Sequence, residues 1–171
     1  MEVHNNSSEP WSVALLNTGL VSMTGGRVKR AKEFVGEEPF LLTYDDGVAD
    51  LNRDSLLQFH NSHGKVMTMT SAQPDGRFWA LGIDLDSKIK ACKEKPKGDG
   101  SRINAGCFVC EPKVFDYIKD GESSIFEQAP LMDLAEDSEV YTFKHEGCWM
   151  PMDTLRDRVK LNDLRNKKKA T

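Results

Sequence analysis

The chain has 171 residues, 39% of them hydrophobic and 29% charged, with a formal net charge of −4. That length is one domain, able to bury roughly 70% of the unfolded chain's surface, and the composition excludes the disordered and collagen-like classes. No apolar run approaches a membrane span, the start Met1-Glu2-Val3-His4-Asn5 lacks the regions of a signal peptide, and the negative charge gives no general attraction to nucleic acid. The expectation is a cytoplasmic protein that binds neither membrane nor nucleic acid.

In chain order, a polar opening from Glu2 to Pro10 leads to a brief apolar strand at Ser12 to Leu16. The segment from Ser22 to Val35 is a polar, glycine-bearing start running into a helix that begins near Thr24, with Val28, Ala31, Phe34 and Val35 on one face. Free N–H groups at that start, with Arg27 in the first turn, suit an anion or a nucleotide edge; the plain alternative is an ordinary capped helix. Phe40 to Asp50 then reads as a buried central strand stopping at an acidic turn, Asp45-Asp46-Gly47. Ligands of α/β sheets bind beyond the carboxyl ends of strands, which would put Asp46 where a divalent cation and phosphates meet; the plain alternative is a turn.

Asp54 to His63 has helical spacing with Asp54 as its cap and Gly64 as its stop. His60 and His63 are spaced to share a metal or to form an exposed helix-end pair. A strand from Val66 to Ala72, a turn at Pro74-Asp75-Gly76-Arg77, and strands from Phe78 to Asp84 and Lys88 to Cys92 make a meander. In Lys93-Glu94-Lys95-Pro96 the proline favours an extended Lys95, so Glu94 and Lys95 point to opposite sides. A carboxylate there can accept sugar hydroxyls and a lysine can neutralise a phosphate, or both belong to a solvated loop.

Asn104-Ala105-Gly106, small enough to let a ligand near the backbone, opens the strand Cys107 to Cys110. Two cysteines three apart on a strand face opposite sides, poor geometry for a shared metal, so buried structural thiols are expected. A helix follows from Glu111-Pro112 to Ile118, then a second from Ser123 to Glu136 broken at Pro130, and a strand from Glu139 to Lys144. Asp153-Thr154 reads as the N-cap of a last helix carrying Leu155, Val159, Leu161 and Leu164, and residues 166–171 form a frayed basic tail of a single domain spanning 1–171.

Five motifs in this order, Met23-Thr24-Gly25-Gly26-Arg27, Tyr44-Asp45-Asp46-Gly47-Val48-Ala49-Asp50, Glu94-Lys95-Pro96-Lys97-Gly98-Asp99-Gly100, Ile103-Asn104-Ala105-Gly106 and Trp149 to Asp157, closely resemble those of the glucose-1-phosphate cytidylyltransferase family. The resemblance implies a Rossmann-like mixed α/β sheet of the nucleotide-diphospho-sugar transferase type. It also implies a magnesium-dependent reaction of CTP with glucose 1-phosphate to CDP-glucose and pyrophosphate, and hence a place in nucleotide-sugar synthesis for cell-surface polysaccharide. By the same resemblance Asp46 and Asp153 hold the metal, Ser22, Gly26, Arg27 and Asp45 lie against the nucleotide, Glu94 and Asn104 hold glucose, and Lys95 meets its phosphate with a catalytic role.

Two departures stand beside it. The family opens on a glycine-rich, arginine-bearing phosphate loop and a lysine-proline pair, and Met1 aligns inside the family domain, so an N-terminally truncated domain is expected. Asp45 stands where the family usually has glycine, and Ala105 replaces another. The alternative to an active enzyme is an inactive truncated homologue that binds sugar phosphate or associates with itself or with a complete homologue.

Overall fold

The computed structural model describes residues 12–74, 79–83, 89–94 and 101–169, with backbone only for 79–83, 89–94 and 168–169. A four-stranded mixed sheet holds β1 (Phe40–Thr43), β6 (Ile103–Cys110), β3 (Met67–Ala72) and β7 (Val140–Lys144) in that spatial order. β6 runs antiparallel to both β1 and β3, and β3 runs parallel to β7. β1, β3 and β7 therefore end on one side of the sheet, the side on which β6 begins. The chain leaves β3 there for the hairpin of β4 (Trp79–Ile83) and β5 (Ile89–Glu94), and it leaves β1 there for a ribbon of β2 (Gly47–Ala49) and β8 (Trp149–Pro151).

The expected central strand at Phe40 is a border strand among the described residues, paired only with β6. Its side chains alternate, Phe40 and Leu42 half-buried against Leu41 and Thr43 exposed, as a strand covered on one face requires. The central role falls to β3, buried almost throughout. Met67 faces a core of Phe108, Cys110, Val114, Phe115, Ile118, Phe126 and Leu134, and Phe40 stacks on Phe115 at 5.5 Å. Thr68, one residue on, faces the other way and meets α3 (Arg53–His63), which follows α1 (Thr24–Arg30) and the short α2 (Lys32–Val35) in the chain, so helical cover lies on both faces.

α3 is capped by Asn52, whose side chain accepts from Ser55 N–H at 2.9 Å, and not by Asp54; Gly64 ends it in the left-handed region. Pro130 starts α4 (Ala129–Glu136) where a break was expected, because an early helical position needs no N–H from it. The expected helix at Pro112 is a 3-10 helix to Tyr117. The expected strand at Ser12 to Leu16 does not form: no partner strand meets it among the described residues, and Val13 and Leu15 are exposed. α5 (Leu155–Lys169) carries the basic stretch as helix and leaves Leu155 and Val159 exposed.

His60 and His63 form neither an exposed pair nor a metal pair with a third ligand among the described residues. His60 is buried between the Thr68 hydroxyl at 2.8 Å and the Glu111 carboxylate at 3.1 Å. His63 reaches the same hydroxyl at 2.7 Å and stacks on Tyr141, and burial, with His60 and Lys65 nearby, lowers its pKa. Cys110 is fully buried and Cys107 half-buried, and burial pushes the Cys110 thiol up to about 12.

Candidate active site

The acidic turn is built by the end of β1 and the β2–β8 ribbon. Gly47, Val48 and Ala49 pair with Pro151, Met150 and Trp149, and the ladder continues one step to Asp46, whose carbonyl accepts Met152 N–H at 2.8 Å. Asp153 follows directly, so two carboxylates from distant parts of the chain sit at one end of the ribbon, with Asp45 beside them. All three are exposed, and neither Asp46 nor Asp153 has a hydrogen bond or ion pair to another described side chain.

The N-cap reading of Asp153 does not hold. Thr154 caps α5 instead: its hydroxyl accepts Asp157 N–H at 3.2 Å, while the Asp157 carboxylate accepts the Thr154 hydroxyl at 2.7 Å and Thr154 N–H at 3.1 Å. This is a reciprocal capping box, and it leaves the Asp153 carboxylate uncommitted.

Two carboxylates fit a divalent cation that takes hard oxygen ligands and fills its other positions with phosphates and water. Among the described residues no group of three or more metal-ligating side chains forms a dedicated cage. The pair therefore suits a cation that arrives with a phosphorylated ligand.

The ribbon is held to β6 by the Trp149 indole, which donates to Ala105 C=O at 2.9 Å. It is locked at its base by His145, buried, whose Nε2 lies 3.1 Å from both the Asp50 carboxylate and Cys148 C=O. Gly147 lies against this pair: a Cβ there would stand 2.2 Å from Asp50 Oδ1 and 2.8 Å from His145 Cε1, so a side chain fits only if one of the two moves.

β6 leaves its regular register between Asn104 and Phe108, four residues spanning what two span on β3. Gly106 takes a φ of 74° in this bulge, and the Tyr44 ring lies so close that a Cβ would be 2.7 Å from it. The small residues expected to admit a ligand here thus admit an aromatic ring. The bulge sets Asn104 beside Tyr44: its Oδ1 accepts Gly106 N–H at 2.9 Å and its amide nitrogen donates to the Tyr44 hydroxyl at 3.4 Å. The Tyr44 hydroxyl in turn donates to Glu127, whose other oxygen accepts the Thr24 hydroxyl at 2.7 Å.

Burial, reinforced by the Glu127 carboxylate, drives the Tyr44 hydroxyl far above the usual tyrosine range. Burial also acts to raise Glu127, but the hydroxyls of Tyr44 and Thr24 outweigh it and hold the carboxyl below the ordinary glutamate range.

The glycine segment at α1 (Thr24–Arg30) is not an open anion cradle. Met23 N–H donates to Glu122 C=O at 2.9 Å, Gly25 and Gly26 N–H to Ser124 C=O at 2.9 and 3.3 Å, and a Cβ on Gly26 would meet Glu122 at 2.8 Å. The two glycines pack the helix start onto Gly121–Ser124. Ser22 is buried, and its hydroxyl has no hydrogen-bond partner among the described residues. Arg27 is exposed and bonds the Thr18 hydroxyl at 2.7 Å. Glu94 closes β5 with only its backbone described, and Lys95 lies outside the described residues.

The structure therefore gathers Asp45, Asp46, Asn104 and Asp153 at one end of the sheet. Tyr44, Glu127, Trp149 and the Asp50–His145 pair join them there unforeseen. Tyr44, Asp50 and Trp149 lay inside quoted motifs, but nothing local to Glu127 or His145 marks either one.

No family model matches the chain. A glucose-1-phosphate cytidylyltransferase of Salmonella typhi is 52% identical over 99% of this chain, and a probable one of Bacillus subtilis is 38% identical over 92%. The chain belongs to the sugar nucleotidyltransferase family. It spans 66% of the length of the Salmonella relative and 61% of the Bacillus one. More distant sugar nucleotidyltransferases match as well, among them a mannose-1-phosphate guanyltransferase of Candida albicans at 31% identity over 78% of the chain. Among solved structures, a UDP-glucose pyrophosphorylase with bound UDP-glucose superimposes with a TM-score of 0.63 at 12% identity, covering 90% of this chain and 65% of that one; a ligand-free UDP-glucose pyrophosphorylase gives 0.62. These likenesses give the fold, the mixed α/β sheet of nucleotide-diphospho-sugar transferases.

Proposed function

We propose that the chain carries the metal and sugar-phosphate side of a cytidylyltransferase site, for the reaction of CTP with glucose 1-phosphate to CDP-glucose and pyrophosphate. The observation that supports this most is the β2–β8 ribbon, which joins Asp46 and Asp153 at one end with both carboxylates uncommitted. The named relatives supply the base and the sugar.

In the reaction a phosphate oxygen of glucose 1-phosphate attacks the α-phosphorus of CTP, forming one P–O bond as the bond to pyrophosphate breaks. Such a transfer needs positioning and neutralisation of charge more than a protein nucleophile. Asp46 and Asp153 would hold magnesium, which when bound supplies that neutralisation. Asn104 and Glu94 orient the sugar, and Lys95 meets its phosphate as a point charge and steadies the attacking group.

Ser22, Gly26, Arg27 and Asp45 make up the nucleotide side. Arg27 and Asp45 present exposed side chains for contact, while Gly26, packed on Glu122, shapes the wall behind them. Asp45 adds a third negative charge next to the phosphates, and Asp45→Gly should tighten CTP binding.

The test is pyrophosphate release by the purified chain with magnesium, CTP and glucose 1-phosphate, each omitted in turn. The expected result is release requiring all three, abolished in Asp153→Asn with the fold intact. Undiminished release in that variant removes Asp153 from the mechanism. No release from the folded chain favours the alternative of an inactive homologue, and a complete homologue would then be added to look for association.

A further inference from the structure

One polar chain crosses from the helix start to the proposed sugar site, and the direction of every bond in it follows from its ends. Phe126 N–H donates to Thr24 Oγ1 at 2.9 Å, so the Thr24 hydroxyl hydrogen is left for Glu127 Oε2 at 2.7 Å. Glu127 is held ionised and only accepts, so it also takes the single hydrogen of the Tyr44 hydroxyl. Tyr44 Oη can then meet Asn104 only as an acceptor. At the other end Gly106 N–H is a fixed donor to Asn104 Oδ1 at 2.9 Å. Both contacts demand the same amide orientation, oxygen toward Gly106 and nitrogen toward Tyr44. An inverted amide would set two donors against each other at Gly106 and two acceptors at Tyr44. The second amide hydrogen of Asn104 has no partner among the described residues.

We propose that Tyr44 and Glu127 are positioning residues that lock the Asn104 amide, so that this site offers a hydrogen-bond donor to an acceptor oxygen of the bound sugar. The inference rests on the sugar-phosphate reading given above and adds to it the polarity of the contact and the residues that enforce it. Neither Tyr44 nor Glu127 touches substrate in this scheme. Each acts through Asn104, and Thr24 ties their orientation to the start of α1.

Two readouts separate this inference from the reading beneath it. In the first, the side-chain amide signals of Asn104 are followed by ¹⁵N NMR in the 171-residue chain, assigned by their loss in Asn104→Asp. Tyr44→Phe deletes only the hydroxyl and is expected to shift the Asn104 pair markedly, while Ser62→Ala, whose hydroxyl meets only Phe59 C=O within α3, leaves it in place. In the second, glucose 1-phosphate binding is measured by calorimetry. Tyr44→Phe is expected to weaken it about 3- to 20-fold, the effect of one oriented hydrogen bond, at little cost in thermal stability.

Unchanged Asn104 signals and unchanged affinity in Tyr44→Phe overturn the proposal. Absence of glucose 1-phosphate binding by the unmutated chain, with the Asn104 signals still responding to Tyr44→Phe, overturns the sugar-phosphate reading and leaves the amide lock standing. Should Tyr44→Phe fail to fold, Glu127→Ala provides the same test. With no carboxylate to take its hydrogen, the Tyr44 hydroxyl is free to turn toward Asn104, which should move the same signals.

Discussion

Gly106→Ala isolates the contact on which the site's geometry turns. The substitution carries two costs that can be separated. The first is the backbone: a φ of 74° lies in the region L side chains rarely adopt, at about 1 to 2 kcal/mol. The second is steric, since the new methyl would stand 2.7 Å from Tyr44 Cδ2 and 3.1 Å from Cγ, forcing the ring off its seat at about 1 to 3 kcal/mol. The sum is about 2 to 5 kcal/mol.

Gly64→Ala supplies the reference. Gly64 has a φ of 61° and nothing within 4 Å of its would-be Cβ, so it bears the backbone cost alone. Urea unfolding of the two variants should therefore show Gly106→Ala the less stable by about 1 to 3 kcal/mol, an excess that represents displacement of Tyr44. Equal losses would mean that the ring yields freely and that the bulge does not hold Tyr44 against Asn104. The reasoning behind the amide lock would fail with it.

Thr154→Ala should cost about 0.5 to 2 kcal/mol by removing the cap of α5, whereas Asp153→Ala should leave stability within about 0.5 kcal/mol; a larger loss in the latter would restore Asp153 to a structural role. Because the folded-state pKa of Glu127 lies below its unfolded value, its contribution to stability is present above the unfolded value and is lost as pH falls through the folded one. Glu127→Gln should accordingly flatten the decline of stability between neutral and acid pH, and an unchanged profile would show that its bonds to Tyr44 and Thr24 do not form. Brief alkylation of the native chain, mapped by peptide mass spectrometry, should modify Cys148, which is exposed, well before Cys110, which is buried; the reverse order would contradict the packing of β6.

What could be read in the sequence was what is local. The stop at Gly64 and β3, β6 and β7 follow from glycine placement and side-chain alternation, each confined to a few neighbouring residues, while the helix start at Thr24 stands where it was expected but without a side-chain cap. The reading of Phe40 to Thr43 as a central strand failed because a four-residue apolar run bears the same letters whether one face or both are covered, and only the partner strands distinguish the two. Asn52 was missed as the cap of α3 because Asn52 and Asp54 are both capping residue types, and the choice rests on which one takes the extended backbone. Ser12 to Leu16 has strand-like letters, but a strand is defined by its pairing.

The site divides along the same line. Asp46 and Asp153 could be named from motifs, yet nothing in either motif tells that they stand at one end of a single ribbon, a fact fixed by the register Gly47 to Pro151. Glu127 had no local mark at all: it precedes α4 in an unremarkable stretch, and its importance comes from reaching Thr24 and Tyr44, both distant in sequence. The residues that touch a ligand can sit in short motifs, since a ligand is met by chain segments brought up one at a time. The residues that orient them must come from elsewhere in the fold, because a side chain is held rigid only by groups its own backbone cannot carry along. Asn104 shows both halves, with a neighbour, Gly106, fixing its oxygen and a remote pair, Tyr44 and Glu127, fixing its nitrogen. A substitution at Tyr44 or Glu127 should therefore leave every motif intact and still alter how the site presents itself.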